Sequence, residues 1–181
     1  MRSAEIAASV AEQVGRLRDI AAEVGASVAY VKLHGALYHR AGSDDECARA
    51  ILEALEGIGL SPSAVLAQPG AALLQAARER GWLGVEEGFC DRLYRPDGSL
   101  TDRHEPGSVI ETAVAAARQA VRLAVEGGTY AADGSWVRLR PASLCLHGDT
   151  PGALEAARAI RRALLDAGLV VAPFAASPAG S

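Results

Sequence analysis

The sequence predicts a parallel α/β fold, and three observations carry that prediction. Short apolar runs suited to strands alternate with longer segments whose apolar residues recur in steps of three and four. Strands alternating with helices in this way pair in parallel, either in an open doubly wound sheet or in a barrel. Two stretches, VAYVKLHGALYH at 28–39 and ASLCLHGDTPGA at 142–153, each run an apolar strand into His-Gly and on toward a helix. In both architectures ligands gather at the carboxyl ends of strands, where these His-Gly pairs fall.

Taken in order, Ile6, Val10, Val14, Leu17, Ile20 and Val24 mark the apolar stripe of a helix closed by Gly25. Val28 to Leu33 is the first strand. Asp44 and Asp45 open a second helical segment, their charge suited to a helix N-terminus, with Ala48, Ile51, Leu52 and Leu55 inward and Gly57 and Gly59 at its end. Val65 to Ala67 is a strand, Pro69-Gly70 a turn, and Ala71 to Arg80 a helix stopped by Gly81. Leu83 to Phe89 is a further strand, followed by a long polar loop, EEGFCDRLYRPDGSLTDRHEPG at 86–107. A loop of that length in a compact domain is a functional or a disordered element, and Asp97-Gly98 fits a hairpin tip. Glu111 to Val125 returns to helix, broken by Gly127-Gly128. Asp133-Gly134 between extended segments predicts a small hairpin over 129–139. Leu144 to Leu146 is the last core strand, Ala153 to Asp166 the last helix, and Leu169 to Ala172 a final strand. The whole reads as one α/β domain over 1–174 with a disordered tail at 175–181.

Composition narrows the function classes. Half the residues are hydrophobic and 22% are charged, an ordinary globular balance. A net charge of -4, with arginines scattered over helices, does not provide the basic cluster that nucleic acid needs. No apolar run approaches the roughly 18 residues of a membrane span, and the N-terminus has no signal pattern, so the expected location is the cytoplasm. Cys47, Cys90 and Cys145 are odd in number and widely spaced, as reduced thiols would be.

The candidate chemistry centres on His34 and His147. Lys32 precedes His34 by two residues, so on a strand both side chains share a face, where a cation can hold anionic oxygens beside a neutral imidazole. Asp149, two residues after His147, is placed to orient the imidazole or bind a cation. The same stretch also reads as a helix entry, with Thr150 as cap and Pro151 in the first turn. The polar loop adds Glu87, Asp91, Arg92, Tyr94, Arg95, Arg103 and His104 as a lid or substrate loop. No phosphate loop, GxGxxG, HExxH or GxSxG signature is present.

Four segments, VKLHGALY at 31–38, EGFCDRLYRPDGSL at 87–100, RHEPGSVI at 103–110 and LCLHGDTPGA at 144–153, together resemble the family of 5-oxoprolinase A subunits, also called the LamB/YcsF lactam-utilisation family. The resemblance spans nearly the whole chain. It implies a partial (β/α) barrel of the glycoside hydrolase/deacetylase type. It also implies ATP-dependent opening of the 5-oxoproline lactam to L-glutamate, with Mg2+ accompanying ATP, in the company of two further subunits. Lys32, His34, His147 and Asp149 then stand at catalytic positions, and Tyr38, Asp91, Arg92 and Tyr94 at substrate-binding ones. Lys32 would hold phosphate or a developing oxyanion, the histidines would serve as base and acid, and Arg92 would grip the substrate carboxylate. The resemblance also leaves room for a divalent metal at the site, without naming its ligands.

The chain departs from the family pattern at Leu33, where VKPHGALY has proline, and at Cys90, where FADR has alanine. Segments of the type DLNCDxGE, NxACGxHAGD and GAHPxxPD, which usually open the family chains, are absent from the sequence, and Met1 falls about where relatives carry an internal methionine. The expectation is an N-terminally truncated or wrongly started frame whose barrel lacks its first strands. Two other readings accompany the first. One is a metal-dependent amide hydrolase of deacetylase type, and the other a noncatalytic remnant that binds partner subunits.

Overall fold

The computed structural model of the chain describes residues 1–60 and 63–174. Two compact units lie within the span that the sequence assigns to one α/β domain: Met1–Val85 with Phe174, and Glu86–Pro173.

In the first unit the stripe of three-and-four spacing forms α1 (Ser3–Glu23), which buries Ile6, Ala7, Val10 and Ala11. Glu5 in its first turn accepts the Arg2 amide at 3.0 Å, satisfying one of the donors a helix N-terminus leaves open. β1 (Tyr30–Lys32) is shorter than the apolar run that predicts it. It leads through Leu33, His34 and Gly35 into α2 (Ala36–Ser43). α3 (Asp45–Gly57) begins where the acidic pair predicts, with the Asp44 carboxylate accepting the Cys47 amide at 3.0 Å. Its Leu52 and Leu55 are fully buried, and it packs against α1 and α4. β2 (Ala64–Ala67) is buried along its whole length, as a parallel strand covered on both faces should be. It pairs in parallel with β1, Val31 opposite Val65. α4 (Ala72–Glu79) follows, ending before Gly81, whose φ of 77° is the left-handed turn the sequence assigns to it. β3 (Leu83–Phe89) starts in this unit, the Leu83 amide bonding to the Ser63 carbonyl.

The remainder of β3 belongs to the second unit, which then builds the polar loop. This loop is ordered. Tyr94 pairs with Leu100, and Arg95 with Ser99, around the Asp97-Gly98 tip. α5 (Ala113–Val121) is capped by the Thr112 hydroxyl, which accepts the Ala115 amide. It ends earlier than the apolar pattern suggests, because residues 122–126 widen into a π-helical turn closed by Gly127 at φ 71°. β4 (Gly128–Tyr130) and β5 (Trp136–Arg138) form the expected antiparallel hairpin. β6 (Ser143–Cys145) pairs in parallel with β3, Phe89 opposite Cys145. The chain entering β6 passes so close to β3 that a Cβ on Gly88 would stand 2.7 Å from the Pro141 ring. α6 (Ala153–Asp166) packs on α5 around Ala116, Ala120, Ile160 and Leu164, a seam of small residues against branched ones.

Two local expectations change. The helix entry predicted at Thr150-Pro151 is displaced: Gly152, in the left-handed region at φ 79°, is the residue before α6, and Pro151 lies in the preceding turn. No strand forms over 169–172. The Leu169 amide is taken by the end of α6 through the Leu164 carbonyl, Val170 is 86% exposed, and Pro173 offers no donor to a sheet. The tail expected at 175–181 lies outside the described residues. Among the described residues no helix is long and apolar enough to cross a membrane.

Candidate functional site

The parallel register of β3 and β6 decides which side chains meet. Phe89 stands opposite Cys145, so Asp91 and His147, each two residues further on, emerge on one face just past the carboxyl ends of the two strands. The His147 ring nitrogen Nδ1 lies 2.9 Å from Asp91 Oδ2 and 3.1 Å from Oδ1, and the His147 amide donates to Oδ2 at 3.0 Å. Burial pushes the Asp91 carboxyl up, but the bonds from the His147 ring and amide outweigh it and hold the group below the usual carboxylate range. An ionised carboxylate only accepts, so Nδ1–H is the donor in this contact and Nε2 is the ring nitrogen that Asp91 does not engage. Phe89 lies beside the imidazole nearly parallel to it, centroids 5.8 Å apart at 24°, and fixes its plane.

The backbone that carries Asp91 is held from several sides. The Tyr94 hydroxyl accepts the Phe89 amide at 2.7 Å, and Gln119 Nε2 on α5 donates to the carbonyls of Phe89 and Arg92, both at 2.7 Å. The Cys90 amide bonds to the Cys145 carbonyl and the Ile110 amide to the Asp91 carbonyl. Tyr94 has no exposed surface, and burial raises its phenol and the Cys90 thiol well above their ordinary pKa values.

The arginines divide sharply. Arg92 is 4% exposed; its Nη2 donates to the Thr101 carbonyl at 2.5 Å, and its Nε is buried without a partner among the described residues. Burial lowers its pKa below the usual guanidinium value. Arg103, from the polar loop, is exposed and sits on Asp149, its Nη2 2.9 Å from both carboxylate oxygens. Asp149 therefore does not orient His147; Asp91 does.

In the first unit Lys32 is half-buried at the carboxyl end of β1, and His34 is exposed in the turn that follows. Gly35 precedes α2 at φ 59°, ψ -139°, a conformation essentially reserved to glycine, and no side chain caps this helix. Lysine beside an uncapped helix N-terminus is a chemistry suited to anionic oxygens. Tyr38 is buried on α2, its ring edge-on to His39. Gly148 lacks the positive φ of Gly35, so the two His-Gly pairs serve different turns.

The structure thus brings Asp91 and His147 together and gives Asp149 to Arg103. Lys32, His34 and Tyr38 stand in the first unit, and Asp91, Arg92, Tyr94, His147 and Asp149 in the second. Among the described residues no three His, Cys, Asp or Glu side chains converge. Sequence reasoning does not single out Gln119, although a polar residue amid the alanines of an amphipathic helix is a signal of its kind.

The LamB/YcsF family model matches residues 1–179. The 5-oxoprolinase A subunit of Streptomyces coelicolor is 48% identical over 175 residues, covering 96% of this chain and 69% of that protein. That of Streptomyces griseus is 46% identical over 172 residues, 95% and 68%. The crystal structure of the lactam utilization protein from Thermus thermophilus superimposes with a TM-score of 0.87 at 39% identity, over 96% of this chain and 69% of that one. With the motifs around His34, Asp91 and His147 inside the matched span and the same α/β fold in a solved relative, the chain belongs to the LamB/YcsF family.

Proposed function

We propose that this chain is part of a cytoplasmic 5-oxoprolinase, which opens the 5-oxoproline lactam to L-glutamate at the expense of ATP together with further subunits. The observation that carries the reading is the Asp91–His147 pair, an imidazole held in one tautomer at the end of a parallel strand pair. The names of the relatives, A subunits of 5-oxoprolinase, supply the substrate.

A lactam amide is a poor electrophile, and bound ATP supplies activation of its carbonyl oxygen. In the first unit, Lys32 at the end of β1 and the N-terminus of α2 offer groups suited to phosphate oxygens. His147 Nε2 takes a proton from the attacking water while Asp91 stabilises the imidazolium that forms. The ring carbon gains the water oxygen, and the C–N bond breaks as His147 returns the proton to the nitrogen, which becomes the amine of glutamate. The phosphoryl group that ATP placed on the carbonyl oxygen, leaving ADP, is released to a second water as inorganic phosphate. Tyr94 and Arg92 are positioning groups: one holds the Phe89 amide, the other ties the loop through Thr101.

The test is to assemble the chain with its partner subunits and follow glutamate formed from 5-oxoproline. Turnover that requires ATP supports the reading. Turnover without ATP that chelation abolishes would instead select the metal-dependent hydrolase. Stable assembly with partners but no turnover would select the noncatalytic one.

A further inference from the structure

The second unit contains an arginine that its own fold keeps occupied but not buried. Arg103 meets Asp149 through Nη2 alone, one nitrogen to two oxygens, rather than through the paired N–H groups that make the strongest arginine–carboxylate contact. The rest of its guanidinium edge is not engaged by Asp149. Both partners face solvent, 39% and 62% exposed, where such pairs contribute little and exchange readily. The backbone beneath is fixed: the Ser108 hydroxyl donates to the Arg103 carbonyl at 2.9 Å, the His104 amide to Asp102, and Arg95 pairs with Glu105 at 2.7 Å. Arg103 is thus an exposed side chain on a held loop. Asp149 follows His147 by two residues, so the chain that carries the imidazole held by Asp91 also carries the partner of Arg103. Arg92, the alternative for binding an anion, is buried and committed to Thr101.

We propose that Arg103 is the carboxylate-recognition residue of the site, with Asp149 an internal stand-in that an arriving carboxylate displaces. The identity of that carboxylate as the one on 5-oxoproline rests on the function proposed above. Asp149 and the ligand compete for the same guanidinium, so the two residues have opposite effects. Removing Arg103 removes the binding group, whereas removing the Asp149 charge removes its competitor. A salt bridge that merely pins the loop would make both substitutions act alike.

The experiment titrates the full chain with 5-oxoproline, with 2-pyrrolidinone, which has the lactam but no carboxylate, and with acetate, reading affinity by calorimetry for every variant and following Arg103 side-chain resonances by NMR where the arginine is retained. R103Q is expected to weaken 5-oxoproline about tenfold or more, R103K to weaken it less, and D149N to tighten it several-fold. None of the three is expected to alter 2-pyrrolidinone binding. The proposal is overturned if R103Q and D149N shift affinity in the same direction, if neither shifts it, or if the wild-type chain binds no carboxylate. If acetate follows the pattern and 5-oxoproline binds no better than acetate, the carboxylate site stands and the lactam substrate does not. If 5-oxoproline binds well but is indifferent to R103Q, the substrate reading stands and Arg103 is excluded.

Discussion

Replacing Gln119 by Leu should destabilise the second unit through a single side chain that braces the backbone carrying Asp91. Gln119 is 4% exposed and makes three bonds: Nε2 to the Phe89 and Arg92 carbonyls, both at 2.7 Å, and Oε1 from the Thr129 hydroxyl at 3.2 Å. Leucine makes none of them and has a similar volume. The Thr129 hydroxyl can rotate toward another acceptor, but the two carbonyls are fixed in backbone. An unsatisfied buried polar group costs about 1–3 kcal/mol, and the extra apolar burial of leucine offsets part of this. The expected loss is about 2–4 kcal/mol. Thr129→Val, which removes only the weakest bond, should cost about 1 kcal/mol. Urea titrations followed by far-UV circular dichroism give the midpoints, and amide exchange at Cys90 and Leu93 reports whether the strand end loosens. A Q119L variant within about 0.5 kcal/mol of wild type, the range of an inconsequential surface change, would refute the accounting, as would equality with T129V.

The Asp91 carboxyl sits below its ordinary pKa, so its stabilising contribution is present above the unfolded value of about 3.9 and is lost as pH falls through the lower folded value. Asp91→Asn should therefore cost about 1–3 kcal/mol at neutral pH, and the gap from wild type should shrink below about pH 4, a convergence that urea midpoints at about pH 7 and pH 3 would show or deny. Gly88→Ala places a methyl 2.7 Å from Pro141 and 3.2 Å from Leu123, which predicts a loss of about 1–3 kcal/mol in thermal or urea unfolding. Gly35→Ala should cost a similar amount, about 1–3 kcal/mol, for backbone reasons alone, since nothing lies within 4 Å of its added methyl. Gly57→Ala, with open space and no positive φ, is the neutral control for both.

The elements that sequence resolves best are those whose signal is local. α6 occupies the very residues its apolar spacing marks, Asp44 caps α3 by accepting the Cys47 amide three residues on, and Asp133-Gly134 turns the hairpin between β4 and β5. Elements that depend on distant partners are less legible. The run at 169–172 has strand composition, but the end of α6 claims its first amide. The Glu111–Val125 stripe continues past Val121, yet the backbone widens into a π turn before Gly127. At the site, both histidines are visible as strand-end His-Gly pairs. Spacing alone offers His147 the nearby Asp149, whereas the register of β3 against β6 gives it Asp91, 56 residues away. The same register leaves Asp149 to Arg103. Gln119 is hidden for the same reason: its partners are carbonyls of another segment, which no helical periodicity can reveal.

The central claim is that a His147 oriented by Asp91 moves the proton in lactam opening. It is tested most directly by the rate of glutamate formation from 5-oxoproline and ATP in the full assembly carrying His147→Gln, beside the wild-type assembly. A lost general base predicts a fall of about 100- to 10,000-fold in kcat with little change in KM for 5-oxoproline. Turnover at the wild-type rate in an H147Q assembly that is intact and saturated with both substrates would contradict it.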